Sequence, residues 1–335
     1  MDDQVPQSAG RQGLGMKPVG AYAETPRTKL SRECALGVLR LLGRQFPGSW
    51  RFSRARTAIE ERIVENLAAR LPMTPVVCTT NHGFRLIVQP GIGKGVERSI
   101  YLTGTYEEGT LAVFSALLRP GDVALDVGAN IGLMTLHAAR LVGETGQVFS
   151  FEPMPDIFSQ IESNIELNRA QQVRAYSTAL GSQSNTLPLF AHPEINRGSS
   201  SLVSNEGAPP AAIAKIMPLD DFVSEEIRRP IRLIKIDVEG WELEVLRGAS
   251  ATLSRPDAPI LCVECSELHP LEGGTVADLY TLLASDNKYR CFALKRGKAR
   301  PSHLVPIPGP GELPHHDNIF CFPQDTPVPS PLAAP

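Results

Sequence analysis

The pattern of hydrophobic and polar positions changes along this 335-residue chain. Residues 1–29 are polar and show no periodicity, which is typical of a disordered tail. Within residues 30–104, apolar residues at helical spacing predict helices, and two short apolar runs around residues 81–83 predict a β-hairpin. Residues 323–335 are rich in proline and alanine, so we expect a tail that adds nothing to the core.

Residues 105–322 show a different pattern, in which short apolar runs alternate with helical stretches. This alternation predicts an α/β domain whose mostly parallel sheet is covered on both faces and binds ligands at the carboxyl ends of its strands. A hairpin after Leu294 would make the last strand antiparallel. The connection 295–316 is too long for a simple turn, and we interpret it as a candidate lid.

One stretch organises this region. The apolar run that contains Asp126 leads into Gly128 and Gly132, and a helical pattern follows, which predicts a strand, a tight turn and a helix. Twenty residues beyond Gly132, a second predicted strand ends at Glu152, where nucleotide-binding units place the carboxylate that binds the ribose hydroxyls. The stretch therefore predicts a nucleoside site. Asp126 could equally cap nearby backbone N–H groups.

The composition of the turn indicates which nucleoside is bound. A dinucleotide loop has a middle glycine that lets the backbone approach the pyrophosphate, whereas this loop has Asn130 at that point. S-adenosylmethionine has no pyrophosphate and offers polar groups instead, so the loop favours S-adenosylmethionine. A nicotinamide dinucleotide and a sheet that binds no ligand are the alternatives.

Composition narrows the class of protein further. The chain is 42% hydrophobic and 21% charged, as in ordinary globular proteins, and no apolar run reaches the ~20 residues of a membrane helix. The polar N-terminus is unlike a signal peptide, so we expect a cytoplasmic location. Residues 1–60 carry ten Lys/Arg against five Asp/Glu, yet they lack interleaved aromatic residues, and no nucleic-acid partner is expected.

The six cysteines are scattered, which predicts free thiols. Cys262 and Cys265 form the one pair worth considering for zinc or redox chemistry. In a strand an offset of three residues places two side chains on opposite faces, so this pair is not expected to bind a metal.

A charged strand is the candidate for catalysis. Lys235, Asp237 and Glu239 alternate with apolar residues and so share one side of the strand, and Glu264 ends the next predicted core strand. Such alternation also occurs in exposed edge strands. Asp237, Glu239 and Glu264 could hold a divalent cation, but we do not favour a metal. Glu239 could instead cap the helix that follows it.

Three motifs identify a resemblance. The sequences LDVGANIG, FSFEP and IKIDVEGWELEVLRGA resemble those of FkbM-type methyltransferases, and the resemblance extends from about Ile100 to Phe322, with GTYE and DNIF fitting as well. It implies the seven-stranded class I methyltransferase fold, with the last strand antiparallel, and S-adenosylmethionine-dependent transfer of a methyl group to a hydroxyl of a sugar or secondary metabolite. It also implies cofactor-binding residues: Asp126, Gly128, Ala129 and Asn130 for the methionine moiety, Glu152 for the ribose, and Ala179 and Leu180 for the adenine.

The resemblance leaves the catalytic residues open. Methyl transfer to a hydroxyl requires that the acceptor be positioned and its proton removed. Asp237, Glu239, Glu264 and Lys235 are the predicted catalytic residues, whereas His269, His315 and His316 are expected in exposed loops. A nicotinamide-dependent oxidoreductase and a non-catalytic partner-binding module are the alternative functions.

Overall fold

The computed structural model of the protein describes residues 71–92, 95–191, 200–202, 209–267 and 271–334. The tail predicted over residues 1–29 and the helices predicted before residue 71 lie outside these ranges.

The described part of the chain contains strands and helices in alternation. The strands are β1 (Val76–Thr79), β2 (Arg85–Val88), β3 (Val123–Val127), β4 (Gln147–Phe151), β5 (Val173–Tyr176), β6 (Ala179–Leu180), β7 (Asn185–Ala191), β8 (Ser200–Ser201), β9 (Ala212–Met217), β10 (Ile231–Ile236), β11 (Ile260–Ser266), β12 (Tyr289–Leu294), β13 (Leu304–Pro306) and β14 (His316–Pro323). The helices are α1 (Val96–Thr103), α2 (Glu108–Leu117), α3 (Leu133–Val142), α4 (Pro155–Asn168), α5 (Leu219–Glu226), α6 (Glu242–Arg247), α7 (Ser250–Leu253) and α8 (Val276–Tyr280), which continues as a π-helical turn over Thr281–Asp286.

The central sheet has the strand order β13-β12-β14-β11-β10-β3-β4-β5. Strands β11, β10, β3, β4 and β5 are parallel, and β14 is antiparallel to both of its neighbours. The predicted seven-stranded, mostly parallel sheet with an antiparallel last strand is therefore confirmed. The eighth strand, β13, was not predicted. It arises because part of the connection 295–316 pairs with the outer edge of β12.

Both faces of the sheet are buried, as predicted. Alternate residues of the central strands belong to two separate apolar clusters: Ala124 and Leu233 face one, whereas Leu125 and Ile234 face the other. Cys262 and Cys265 also belong to different clusters, so their thiols do not converge. The five cysteines of the described ranges are free and buried.

The predicted hairpin is formed by β1 and β2, which pair antiparallel. Its outer edge is bonded to α4, because Asn164 Oδ1 accepts from Ile87 N at 2.7 Å and Asn168 Oδ1 accepts from Arg85 N at 2.8 Å. These side chains replace a neighbouring strand, and the hairpin thereby packs against the domain.

The C-terminal segment differs from the expectation. Leu332, in a short 3₁₀ helix over Ser330–Leu332, is 4% exposed and belongs to an apolar cluster of the core, with Val328 packed against the same cluster. The expectation that this segment adds nothing to the core is wrong. Two isolated apolar residues among prolines give no periodicity, although they can fill a gap between other elements.

A second, smaller sheet has the order β6-β9-β7-β8 and is formed by the residues between β5 and α5. Across the described ranges, we find no helix with the length and apolar character of a membrane span.

Candidate active site

The carboxyl ends of the central parallel strands open into one cavity of about 480 Å³. It is lined by residues from both predicted sets. They are Asp126, Gly128, Ala129, Asn130, Glu152, Ala179 and Leu180 from the cofactor set, and Lys235, Asp237, Glu239 and Glu264 from the catalytic set. The structure thus brings all the predicted residues to one cavity, while their roles remain predictions.

The glycine loop is pressed against the end of β10. Gly128 has a φ of +80°, and a Cβ built on it would lie 1.8 Å from the carbonyl oxygen of Asp237. The N–H groups of Gly128 and Ala129 both donate to Phe151 O at 3.0 Å. Only glycine allows this conformation together with such a close approach, so the loop is fixed between β4 and β10.

Glu152 is buried at the end of β4, where both of its carboxylate oxygens accept backbone hydrogen bonds. Asn130 N donates at 2.9 Å and Met154 N at 3.0 Å. Burial raises the pKa of Glu152 to about 7, although these two hydrogen bonds oppose the shift. Each oxygen has a second lone pair, so the carboxylate can still accept bonds from a ligand in the cavity.

One carboxylate oxygen of Asp126 is hydrogen-bonded to helix α3, which follows it in the chain. Thr135 donates to Asp126 Oδ2 from its hydroxyl at 2.6 Å and also bonds to it through its backbone, as the capping alternative predicts. The other oxygen, Oδ1, is buried and has no hydrogen-bond partner within the described ranges; it lies 4.0 Å from Lys235 Nζ. A buried acceptor without a partner at the cavity is available to a ligand donor.

Lys235 and Asp237 form a buried ion pair, with Nζ 2.9 Å from Oδ2. Burial favours the neutral form of both groups, but opposite charges outweigh it: Asp237 and Asp126 raise the pKa of Lys235, while Lys235 and Lys298 hold the pKa of Asp237 below its usual range. Both side chains are therefore charged. The carboxylate of Asp237 is available as a hydrogen-bond acceptor in the cavity.

A second lysine that the sequence analysis did not identify faces Asp237 from the other side. Lys298 Nζ lies 2.8 Å from Glu264 Oε1 and 3.1 Å from Glu107 Oε1. Burial and the nearby charge of Asp237 raise the pKa of Glu264 to about 9, against the opposing effect of Lys298. Lys235, Asp237, Glu264, Lys298 and Glu107 therefore form a connected series of carboxyl and ammonium groups along the cavity wall.

Three further residues that line the cavity were missed as site residues: Tyr106, Glu107 and His316. Tyr106 and Glu107 belong to the GTYE motif, which the resemblance included without assigning roles to its residues. His316 is the first residue of β14 and lines the cavity, so the expectation of a loop residue is wrong, although its side chain is 39% exposed. The side chain of His315 is 90% exposed and fits that expectation, and His269 lies outside the described ranges.

Glu242 stabilises the turn after β10, because its carboxylate accepts from Val238 N at 3.0 Å and from Gly240 N at 3.2 Å. A capping role for Glu239 stays a prediction. Glu239 has a left-handed backbone with a φ of +54° and contributes to the cavity wall.

The carboxylates of the cavity are paired with lysines. Within the parts of the chain that the structure describes, no group of three or more His, Cys, Asp or Glu residues has the arrangement of a metal site. Lys235 and Lys298 occupy the positions beside Asp237 and Glu264 where a cation would bind.

The strand order, with five parallel strands, an antiparallel last strand and a glycine loop after β3, defines the class I methyltransferase fold. Within this class, residues 126–291 match the family model of the methyltransferase FkbM domain. The resemblance to FkbM-type methyltransferases that the sequence motifs indicated is therefore confirmed for residues 126–291.

Several curated proteins are similar to this chain. Methyltransferase 1 of Beauveria bassiana is 33% identical over 144 residues, which cover 37% of this chain and 57% of that protein. Hexuronic acid methyltransferase AglP of Haloferax volcanii is 35% identical over 39% of this chain and 52% of its own length. The 31-O-demethyl-FK506 methyltransferase FkbM of Streptomyces tacrolimicus is 27% identical over 47% and 68%. The chain thus spans little more than half the length of the first two.

Proposed function

We propose that this protein transfers a methyl group from S-adenosylmethionine to a hydroxyl oxygen of a sugar or secondary metabolite. The observation that carries the proposal is the single cavity in which the glycine loop and Glu152 lie at one end and the Lys235–Asp237 ion pair at the other. One end fits a nucleoside, and the other offers a carboxylate as a base.

The residues of the first end fit the cofactor. Asp126 Oδ1 is a buried acceptor without a partner in the described ranges, and the Glu152 carboxylate is held by two backbone N–H groups with lone pairs to spare. Asp126 and the loop residues Gly128, Ala129 and Asn130 would hold the methionine moiety, Glu152 the ribose, and Ala179 and Leu180 the adenine. When bound, S-adenosylmethionine supplies a methyl group that its sulfonium has already activated.

The residues of the second end would position the acceptor and remove its proton. Asp237 is ionised and fixed by Lys235, so one of its oxygens can accept the hydroxyl proton as transfer proceeds. Glu264, Glu239 and Lys235 complete the predicted catalytic set. An end so rich in hydrogen-bonding groups suits a polyhydroxylated acceptor better than an apolar one.

The names of the relatives support this class of acceptor, because one is a hexuronic acid methyltransferase and another a 31-O-demethyl-FK506 methyltransferase. Neither the nicotinamide oxidoreductase nor the partner-binding module gains support from the comparisons. The cytoplasmic location stays a prediction.

Isothermal titration tests the cofactor. S-adenosylhomocysteine should bind and NAD should not; the reverse result would replace the proposal with the oxidoreductase. A labelled-methyl assay on sugars and hydroxylated metabolites then tests the reaction, and an untargeted search for a metabolite that gains one methyl group in cells expressing the protein would identify the acceptor. Cofactor binding without transfer to any hydroxyl would favour the partner-binding module.

A further inference from the structure

Asp237 and Glu264 lie side by side at the ends of two adjacent parallel strands. In the register of β10 and β11, Lys235 is opposite Cys262 and Ile236 is opposite Val263, so the next pair in line is Asp237 and Glu264. A side-chain hydrogen bond joins the two carboxyl groups. Two ionised carboxylates contain only acceptors, so this bond requires that one of the two groups carry a proton.

The lysines indicate which group carries it. Lys235 donates to Asp237 at 2.9 Å, and Lys298 lies 3.1 Å from Glu107 and 2.8 Å from Glu264. If Asp237 and Glu107 are the ionised partners, each lysine has one counter-charge within hydrogen-bond distance, and Glu264 is the group left to be neutral. Lys298 can still donate to the carbonyl oxygen of a neutral Glu264.

We propose that Asp237 and Glu264 act as one acid–base unit in which Glu264 carries a proton and donates it as a hydrogen bond to Asp237, so that Glu264 is a positioning residue for the base. This inference rests on the proposed transfer to a hydroxyl. It adds to that function by giving Asp237 and Glu264 different roles, whereas the sequence analysis listed both simply as catalytic residues.

The reaction balances with this assignment. The acceptor oxygen would form the new O–CH₃ bond with its own electron pair, and its proton would pass to Asp237. The electron pair of the broken S–CH₃ bond would stay on sulfur, so that S-adenosylhomocysteine is the leaving group. Asp237 then releases this proton to solvent, and Glu264 keeps its proton throughout. The hydrogen bond from Glu264 occupies one lone pair of Asp237 and thereby orients another toward the acceptor.

The surroundings of Glu264 make its ionisation unfavourable. Asp237 and Glu239 follow β10, Glu107 precedes α2, His316 lies on β14, and Lys298 is its one close cation. Lys235 and Tyr106 complete the charged and titratable groups of this end. Ionised Glu264 would face Asp237 as a like charge at hydrogen-bond distance. We therefore expect activity to fall as the pH rises through about 9, where Glu264 ionises.

Two substitutions of Glu264 show whether it acts as a neutral hydrogen-bond donor or as an ionised carboxylate. Glu264→Gln keeps a donor for Asp237 and an acceptor for Lys298, so kcat should fall by less than about tenfold, and the loss of activity above pH about 9 should disappear. Glu264→Ala removes both bonds and should lower kcat about 10²-fold or more. If Glu264→Gln is as inactive as Glu264→Ala, or keeps the alkaline loss, the proposal is wrong, because an ionised Glu264 would then be needed.

Infrared spectroscopy tests whether Glu264 is protonated, and it does not depend on catalytic activity. Near neutral pH, the difference spectrum between the wild type and Glu264→Gln should show the carbonyl stretch of a protonated carboxylic acid, whereas the exposed control Glu225→Gln should not. Absence of the band overturns the neutral assignment. If the wild type methylates no hydroxyl but the band is present, the proposed function fails while the protonated pair stands.

Discussion

At the residue scale, Glu152 combines a structural role with a proposed ligand-binding role, and the sequence alone did not distinguish the two. Its oxygens anchor Asn130 N and Met154 N, and its remaining lone pairs face the cavity. Glu152→Ala should therefore weaken binding of S-adenosylhomocysteine about 10- to 100-fold, since bonds to a charged group contribute about 1.5–3 kcal/mol. The fold should persist in circular dichroism. Unchanged affinity would remove Glu152 from the cofactor site.

The raised pKa of Glu152 predicts a pH effect on the same binding. Because the carboxylate is the better acceptor and its pKa is about 7, protonation at lower pH should weaken binding of S-adenosylhomocysteine as the pH falls below about 7. Glu152→Gln is the matched control, because it cannot titrate and its affinity should stay flat over the same range. Titration calorimetry at several pH values gives both curves, and parallel curves would contradict the assignment.

Asp237 is the residue whose loss should affect rate more than binding. Asp237→Asn keeps the shape and removes the base, so kcat should fall about 10²- to 10⁴-fold while affinity for S-adenosylhomocysteine barely changes. Lys235 loses its closest counter-charge in this variant and keeps Asp126 at 4.0 Å, so thermal unfolding should be measured alongside. Full activity with a normal pH profile would eliminate Asp237 as the base.

At the scale of elements, the glycine loop offers a comparison between two left-handed glycines. Gly128→Ala would place a Cβ 1.8 Å from Asp237 O, whereas Gly121→Ala, at a φ of +93°, would meet only Thr145 Oγ1, at 3.8 Å. The backbone strain of about 1 kcal/mol is common to both variants, and the clash should add about 1–3 kcal/mol at Gly128. Denaturant unfolding measures the difference. Equal losses in the two variants would show that the loop can move away from β10.

The elements themselves show why prediction from the sequence succeeded in part. Asp126, Glu152, Asp237 and Glu264 were predicted because each follows an apolar run, and the ends of parallel strands meet at one edge of a sheet. Lys298 was missed because it lies on a connection without periodicity. Its carbonyl accepts from Gly109 N at 2.9 Å, and its own N–H donates to Asp317 Oδ1 at 2.8 Å, long-range bonds with no local pattern.

The same bonds change the interpretation of the connection 295–316. The sequence indicated a candidate lid, yet residues 295–306 are fixed by β13 and by the contacts of Lys298 with the start of α2. Chain length alone could not distinguish a mobile cover from a segment that is tied down at both ends.

At the scale of the whole molecule, the C-terminal segment should contribute to stability. Leu332→Ala removes a buried side chain and should cost about 2 kcal/mol, which for a domain of this size lowers the melting temperature by about 4–8 °C. The exposed neighbour Gln324→Ala is the control and should have no effect. Deletion of residues 1–29 is likewise expected to leave the melting temperature unchanged. Equal melting temperatures for Leu332→Ala and the wild type would restore the view of a simple tail.

The position of Lys298 also bears on the acceptor specificity of the proposed methyltransferase. The family match ends at residue 291 and begins at 126, so it includes the nucleoside-binding loop, Asp237 and Glu264 but excludes Lys298, Glu107, Tyr106 and His316. The matched part thus contains the proposed methyl-donor site together with Asp237 and Glu264, whereas flanking segments add Tyr106, Glu107, Lys298 and His316 to the proposed acceptor end. If the proposed function holds, exchange of residues 295–303 between relatives would change the acceptor that is methylated and leave the donor site intact.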